Sequence, residues 1–197
     1  MKKASIIDEV IDDFEGKCFV VPLYGKKGRP VALGNVFKES KTKEKPALRI
    51  YCLHMHSTPG LTIALTDPDA PSRDDPKWSE MCHWISTIPI SDQGAIEIDL
   101  EDRTEEKDLV ECKRFIGCFS CVANYQFIDK PPGPPSKTGY HRYVFLLLEG
   151  DNSNLTAPED RQHWGMGKER HGVRDWAKKE GLEVIGANYF IEKNKKQ

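Results

Sequence analysis

The sequence predicts a mainly β protein, an antiparallel β-sandwich with a few peripheral helices. Runs rich in β-branched and aromatic residues recur along the chain, separated by clusters of Gly, Pro, Asp or Lys. Helical patterns do not alternate with these runs as a parallel α/β fold requires, and no repeat period is visible.

Taken in order, Ile6, Ile7, Val10, Ile11 and Phe14 recur at helical spacing, with Ser5 and Asp8 placed as a capping box, so a short amphipathic helix is expected over about residues 5–14. The strand runs follow: KCFVVPLY, PVALGNVF, ALRIYCLHMH, LTIALT, CHWISTIPI, AIEIDL, RFIGCFSCVANYQF and RYVFLLLE. LTIALT and YVFLLL are apolar continuously, which marks strands covered on both faces and places them centrally. A second helix is expected at GVRDWAKKEG, where Val173, Trp176 and Ala177 share a face and Gly181 can close the end in the left-handed conformation. LEVIGANYFIE supplies a last strand. The charged stretches 38–46, 100–108 and 150–160 read as solvated surface loops, and IDKPPGPPSKTG as a proline-stiffened loop.

The 197 residues suit a single domain, 1–197, large enough to hold a buried pocket. Twenty-nine Lys and Arg against 31 Asp and Glu leave a net charge of -2, and the only basic block is the tail 193–197, expected to be flexible. Nucleic acid is not the expected partner. The N-terminus lacks the apolar core of a signal peptide and no window is long and apolar enough to span a bilayer, so the expected location is cytoplasmic. Six irregularly spaced cysteines accordingly read as thiols. Cys118 and Cys121 form a CFSC motif that has the form of a redox pair or half a zinc site, but no second ligand pair accompanies it and the surrounding run is apolar, which favours buried thiols. His54 and His56 sit two apart on a strand; no signature ties a further ligand to them, and no metal site is assigned.

The chemically dense stretch is TDPDAPSRDDPKWSEMCHW, residues 66–84. Asp67 follows a buried strand, His83 begins the next, and His141 precedes YVFLLL; strand ends meet at the rim of a sandwich, so one site can hold all three. Duller roles compete: Asp67 and Asp69 as turn residues before Pro68 and Pro71, and the histidines as hydrogen-bonded core residues.

Together with GPPSKTGYHRYVFLLLE at 133–149, this stretch resembles the paired signature of the phosphatidylethanolamine-binding protein family, which includes Raf kinase inhibitor proteins and plant flowering-time regulators. The resemblance runs from about Pro30 to Phe190, and PVALGN, HWGMG and VRDWAKKEGLEVIGANYF are similar to its fungal branch, which contains carboxypeptidase Y inhibitors. It implies a β-sandwich with one small anion pocket for phosphate or a phospholipid headgroup of the phosphatidylethanolamine type, carried over onto Asp67, Asp69, His83, Pro135, His141 and Tyr143, with Trp78 at the rim. Arg142 matches the family motif too, and is expected to be structural, paired with Asp74 or Asp75. Trp78, Met81 and Cys82 depart from the animal pattern, which bears on ligand preference.

Two carboxylates in an anion pocket have to be neutralised. The expected arrangement is that Asp67 and Asp69 orient His83 and His141, whose imidazoles donate to the anion. Asp74, Asp75 and Glu80 are left as loop and salt-bridge residues. The function implied is a non-catalytic regulator with a serine carboxypeptidase or kinase partner, peripheral membrane contact and no cofactor. The alternatives are an enzyme using the Asp/His/Tyr set as acid and base, and a phospholipid carrier. No nucleophile elbow is present, and Cys82 and His83, adjacent on a strand, should point to opposite faces.

Overall fold

The computed structural model describes residues 1–52, 60–88, 97–100, 107–110, 132–164 and 168–195. Among them the strands are β1 (Cys18–Tyr24), β2 (Arg29–Pro30), β3 (Asn35–Lys38), β4 (Ala47–Cys52), β5 (Leu61–Asp67), β6 (Met81–Ile88), β7 (Glu97–Leu100), β8 (Lys107–Val110), β9 (Tyr140–Glu149) and β10 (Glu183–Lys193), with one α-helix, α1 (Gly172–Lys179). They form a four-stranded sheet ordered β2-β1-β4-β7 and a six-stranded sheet ordered β3-β10-β9-β5-β6-β8. The pairing is antiparallel throughout, save that β3 runs parallel to β10.

The continuous apolar runs occupy the centre, as their pattern requires: β5 and β9 are neighbours, and all seven residues of β5 are buried. Their alternation feeds two cores. Leu61, Ile63, Leu65, Tyr143, Phe145 and Leu147 face the four-stranded sheet, where they meet Val20, Leu48 and Ile50. Ala64, Val144, Leu146 and Leu148 face outward and are covered by Ile6, Val10, Ile11, Trp164, Val173 and Trp176. The side chains of α1 that cover this face are those expected, and its end closes as a Schellman turn: Leu182 N–H donates to Ala177 O (2.8 Å) and Gly181 takes φ +71°.

The expected N-terminal helix is not formed. A 3₁₀ turn at Lys2–Ala4 is followed by a tight turn in which Val10 and Ile11 N–H both donate to Ile6 O, and Ser5 and Asp8 have φ of 51° and 81°. The reason lies in Arg142. Its guanidinium Nη1 donates to Ala4 O and Ser5 O, both at 2.7 Å, and a helix capped at Ser5 would commit the second of these carbonyls to the N–H of residue 9. Burial of Ile6, Val10 and Ile11 is kept although no continuous helix forms.

Other expectations change with the register. Cys18 and Cys52 lie opposite one another on β1 and β4 and form a disulfide, so these two are not thiols; their separation of 34 residues gave no cue to the pairing. Cys82 is a buried thiol. Within 100–108, Lys107 and Asp108 belong to β8 rather than to a loop, Asp108 being held by Lys45 (2.8 Å) and the Trp84 indole (2.9 Å). The tail is tied down as far as Asn194, since Lys193 ends β10 with its ammonium 4.8 Å from the Tyr140 ring and Asn194 donates to Pro134 O. His54, His56, Cys118 and Cys121 lie outside the described residues. No described helix is long and apolar enough to cross a membrane.

Candidate functional site

At one end of the sandwich, β5, β6 and β9 and the loops after residues 67 and 132 enclose a cleft of about 270 Å³. Six of the seven residues expected at the site line it: Asp67, Trp78, His83, Pro135, His141 and Tyr143. Glu39, Lys43, Met81 and Gly133 complete much of the wall, and none of these four was singled out as a contact from sequence.

His83 reaches the cleft through a bulge. Leu65 pairs with Trp84 and Thr66 with Cys82, so His83 is the extra residue of β6, and a bulge re-aims a side chain in this way. Its ring stands edge-on to Tyr143 at 5.3 Å. Cys82 goes instead to the outer core, so the two adjacent residues form no nucleophile–base dyad. Tyr143 stacks on Phe190 at 5.0 Å and accepts a hydrogen bond from Gly133 N–H. Burial, with the charges of Asp67 and Glu192, raises its pKa well above the ordinary value and keeps the phenol neutral.

His141 is the charged centre of the floor. Its Nδ1 is 2.8 Å from Asp67 Oδ2 and its Nε2 is 3.0 Å from Thr138 Oγ1. The Thr138 hydroxyl donates to Pro135 O (2.8 Å), so it accepts from Nε2. With oxygen atoms within hydrogen-bond reach of both ring nitrogens, the geometry accommodates the doubly protonated imidazolium. Burial works against the charge, but the Asp67 hydrogen bond and the attraction of Asp67, Asp69 and Glu192 outweigh it and raise the pKa above the ordinary histidine value.

Asp69 is not part of the cleft, which corrects the expectation that it orients a histidine. It is fully buried and accepts from Arg142 N–H (2.9 Å), Nε (2.8 Å) and Nη2 (2.6 Å). Arg142 is structural, as expected, but its partner is Asp69 rather than Asp74 or Asp75. The latter stay at the surface, Asp75 in an exposed pair with Lys77. Strand alternation explains the exchange: His141 and Tyr143 face the cleft, so Arg142 between them faces the outer core.

Glu80, expected to be a loop residue, is fully buried. Its carboxyl accepts from Thr66 Oγ1 and, at 2.9 Å, from Val173 N–H at the start of α1. Burial pushes its pKa up to about 7 against these hydrogen bonds. Glu192 is a second buried carboxyl, beside the cleft, also pushed up to about 7 chiefly by burial. A lone Glu in a strand end or a Pro-rich loop carries no mark of burial in sequence, so neither was legible. Among the described residues, no group of three or more His, Cys, Asp or Glu is placed to hold a metal ion.

This sandwich and its paired motifs belong to a known class: the sequence signature of the phosphatidylethanolamine-binding protein family matches residues 27–190, and the chain is a member of that family. Carboxypeptidase Y inhibitor of Saccharomyces cerevisiae is 30% identical over an alignment spanning 98% of this chain and 93% of that protein. The crystal structure of carboxypeptidase Y inhibitor complexed with its cognate proteinase is similar, with a TM-score of 0.77 at 29% identity, covering 98% of this chain and 93% of that one. A phosphatidylethanolamine-binding protein from Plasmodium vivax, 18% identical, shares the fold with a TM-score of 0.68 over 98% of this chain and 95% of its own.

Proposed function

We propose that the protein is a non-catalytic regulator that inhibits a serine carboxypeptidase, and that its cleft binds a phosphate-type anion such as a phospholipid headgroup. The observation that carries the anion reading is the charge arrangement. The two aspartates of the motif are each engaged by a cation, Asp67 by His141 inside the cleft and Asp69 by Arg142 behind it. An anion reaching Nε2 of His141 offers a charged acceptor in place of the Thr138 hydroxyl, and charge-assisted hydrogen bonds are roughly twice as strong as neutral ones. On the wall the cation Lys43 stands with the acid Glu39. The cleft volume, about 270 Å³, matches a headgroup rather than an acyl chain, which favours headgroup recognition over lipid carriage.

The inhibitor reading is supported by the near end-to-end likeness to carboxypeptidase Y inhibitor. Removing residues 1–14 would strip Ile6, Val10 and Ile11 from the outer core, so truncation reports on folding as much as on protease contact. The direct test is hydrolysis by a serine carboxypeptidase of the carboxypeptidase Y type in the presence of the intact protein: dose-dependent inhibition is expected, and full activity at a large excess of protein rejects the reading. For the cleft, phosphate and phosphorylethanolamine are titrated calorimetrically against wild type, His83→Ala and His141→Ala. Each variant should lose about tenfold or more in affinity, in line with a lost charged hydrogen bond; unchanged affinity in both removes the anion site.

A further inference from the structure

We propose that anion capture in the cleft is proton-coupled through Glu192: when an oxyanion enters beside His141, the Glu192 carboxyl takes up a proton. The inference rests on the anion reading of the cleft and goes beyond it, because Glu192 itself does not line the cavity.

The geometry places Glu192 where the cleft's charge is felt and where its own charge is poorly met. It lies on β10 directly opposite His141 on β9, so the two side chains leave the sheet on the same face. It is fully buried. Oε2 accepts from the Thr42 hydroxyl at 2.8 Å, and that hydroxyl also contacts Glu39 O, at 3.3 Å. Oε1 is buried with no hydrogen-bond donor among the described residues. The charged groups acting on the carboxyl are Glu39 from the 3₁₀ turn at Glu39–Lys41, Asp67 from β5 and His141 from β9. Two of the three are acids, and the one cation is already held by Asp67 at 2.8 Å. The nearest basic residue on β10, Lys193, lies over the Tyr140 ring.

A buried carboxylate sharing one imidazolium with a second carboxylate is balanced between its two protonation states, and its pKa of about 7 agrees with that position. An oxyanion beside His141 is a third claim on the same cation. It competes for the imidazolium and adds like charge, both of which raise the proton affinity of Glu192. Linkage makes the effect reciprocal: protonating Glu192 strengthens anion binding by the same factor. Shifting a group that titrates near neutrality by about one unit takes up about half a proton at the midpoint between its free and bound values. Through Thr42 the carboxyl also reaches the segment that carries Glu39 and Lys43 to the cleft wall.

The test uses inorganic sulfate, which stays fully ionised across the range and so contributes no proton of its own. Sulfate is titrated into the intact protein by calorimetry between about pH 6 and 8 in buffers of different ionisation enthalpy, which reports protons taken up per anion. Wild type should take up about half a proton near pH 7 and lose about tenfold in affinity across the range, whereas Glu192→Gln should show a smaller uptake and a flatter profile. The difference between the two chains isolates Glu192 from His141, which both retain. A side-chain carboxyl NMR titration of the wild type, with and without sulfate, gives the same answer should the Gln variant not fold: the Glu192 midpoint moves to higher pH when sulfate is bound. Sulfate binding with equal uptake in both chains, or a Glu192 midpoint that sulfate leaves in place, overturns the inference and spares the anion cleft. No sulfate binding at any pH overturns both.

Discussion

Asp67 and Asp69 stand two residues apart at the end of β5, and their partners, His141 and Arg142, are neighbours on β9, yet the two pairs serve opposite sides of one sheet. The cleft-side pair joins a carboxylate to a base that can lose its proton, next to a cavity. The other pair joins a carboxylate to a guanidinium that cannot, in a site sealed from water. Burial disfavours the Arg142 charge, but Asp69 and Glu9 more than restore it, and the guanidinium carries on to the Ala4 and Ser5 carbonyls. One turn thus supplies an adjustable charge to the cleft side and a fixed one to the structural side. The period of two along β9 does the sorting, because it sends consecutive residues to different cores.

If that division holds, breaking the fixed pair should cost stability without touching the cleft. Asp69→Ala leaves Arg142 buried against two carbonyls and a half-exposed Glu9, and removing one partner of a buried pair typically costs about 3–5 kcal/mol. For a chain of this length that corresponds to a fall in melting temperature of roughly 10 °C. Anion affinity measured well below the new melting point should stay within about twofold of wild type. A variant that loses binding and stability together would show that the two pairs act as one network.

Much of this division can be read in advance, and the part that cannot has a physical pattern. Strand runs, the central placement of LTIALT and YVFLLL, and α1 with its Gly181 end depend on local periodicity, which sequence displays directly. The cleft residues were legible because two long motifs carry them together. Asp69 was misassigned because its role depends on which face of β9 its partner takes, a matter of register. Glu80 and Glu192 were missed because an acidic residue is read as solvated unless its surroundings are known, and the N-terminal helix failed because a distant arginine claimed the Ser5 carbonyl. Pairings across the fold, rather than propensities along it, account for each of these errors.

Glu80 sharpens the comparison, being a third carboxyl from the same stretch, on the structural side but with no salt-bridge partner among the described residues, only the more distant charge of Arg174. Its raised pKa, about 7, has a defined consequence for stability. A folded-state pKa above the unfolded value means that the folded chain binds protons more tightly. The associated stability is fully present below the unfolded value, near 4.5, and is lost as the pH rises through about 7. Glu192 acts over the same window, and the raised His141 contribution is lost above its ordinary value of 6.5. Asp108, where partial burial is outweighed by hydrogen bonds from Lys45 and Trp84 that hold it low, contributes the reverse, losing stability as the pH falls below about its ordinary 3.8. Melting temperature should therefore peak near pH 5 and decline toward pH 8. Glu80→Gln keeps an acceptor for Val173 N–H while removing the charge, and should recover about 1–3 kcal/mol of that decline at pH 8. A decline of the same depth in the variant would mean that Glu80 is not its source.

The cleft-side pair is broken more gently, and its effect should depend on pH in a way that the fixed pair cannot match. In Asp67→Asn the imidazole loses its counter-charge and with it much of what raises its pKa, so the ring becomes neutral at a lower pH. Two opposed effects follow for an anion: one repelling charge is gone, and the attracting charge persists over a narrower range. At a pH low enough to protonate His141 in both chains, sulfate should bind the variant as tightly as wild type or more so. Near pH 8 it should bind more weakly, by about tenfold for a shift of about one unit. The two affinity curves should cross between these values. Parallel curves would mean that Asp67 only positions the ring, and the contrast with Asp69 would then lie in location rather than in an adjustable charge.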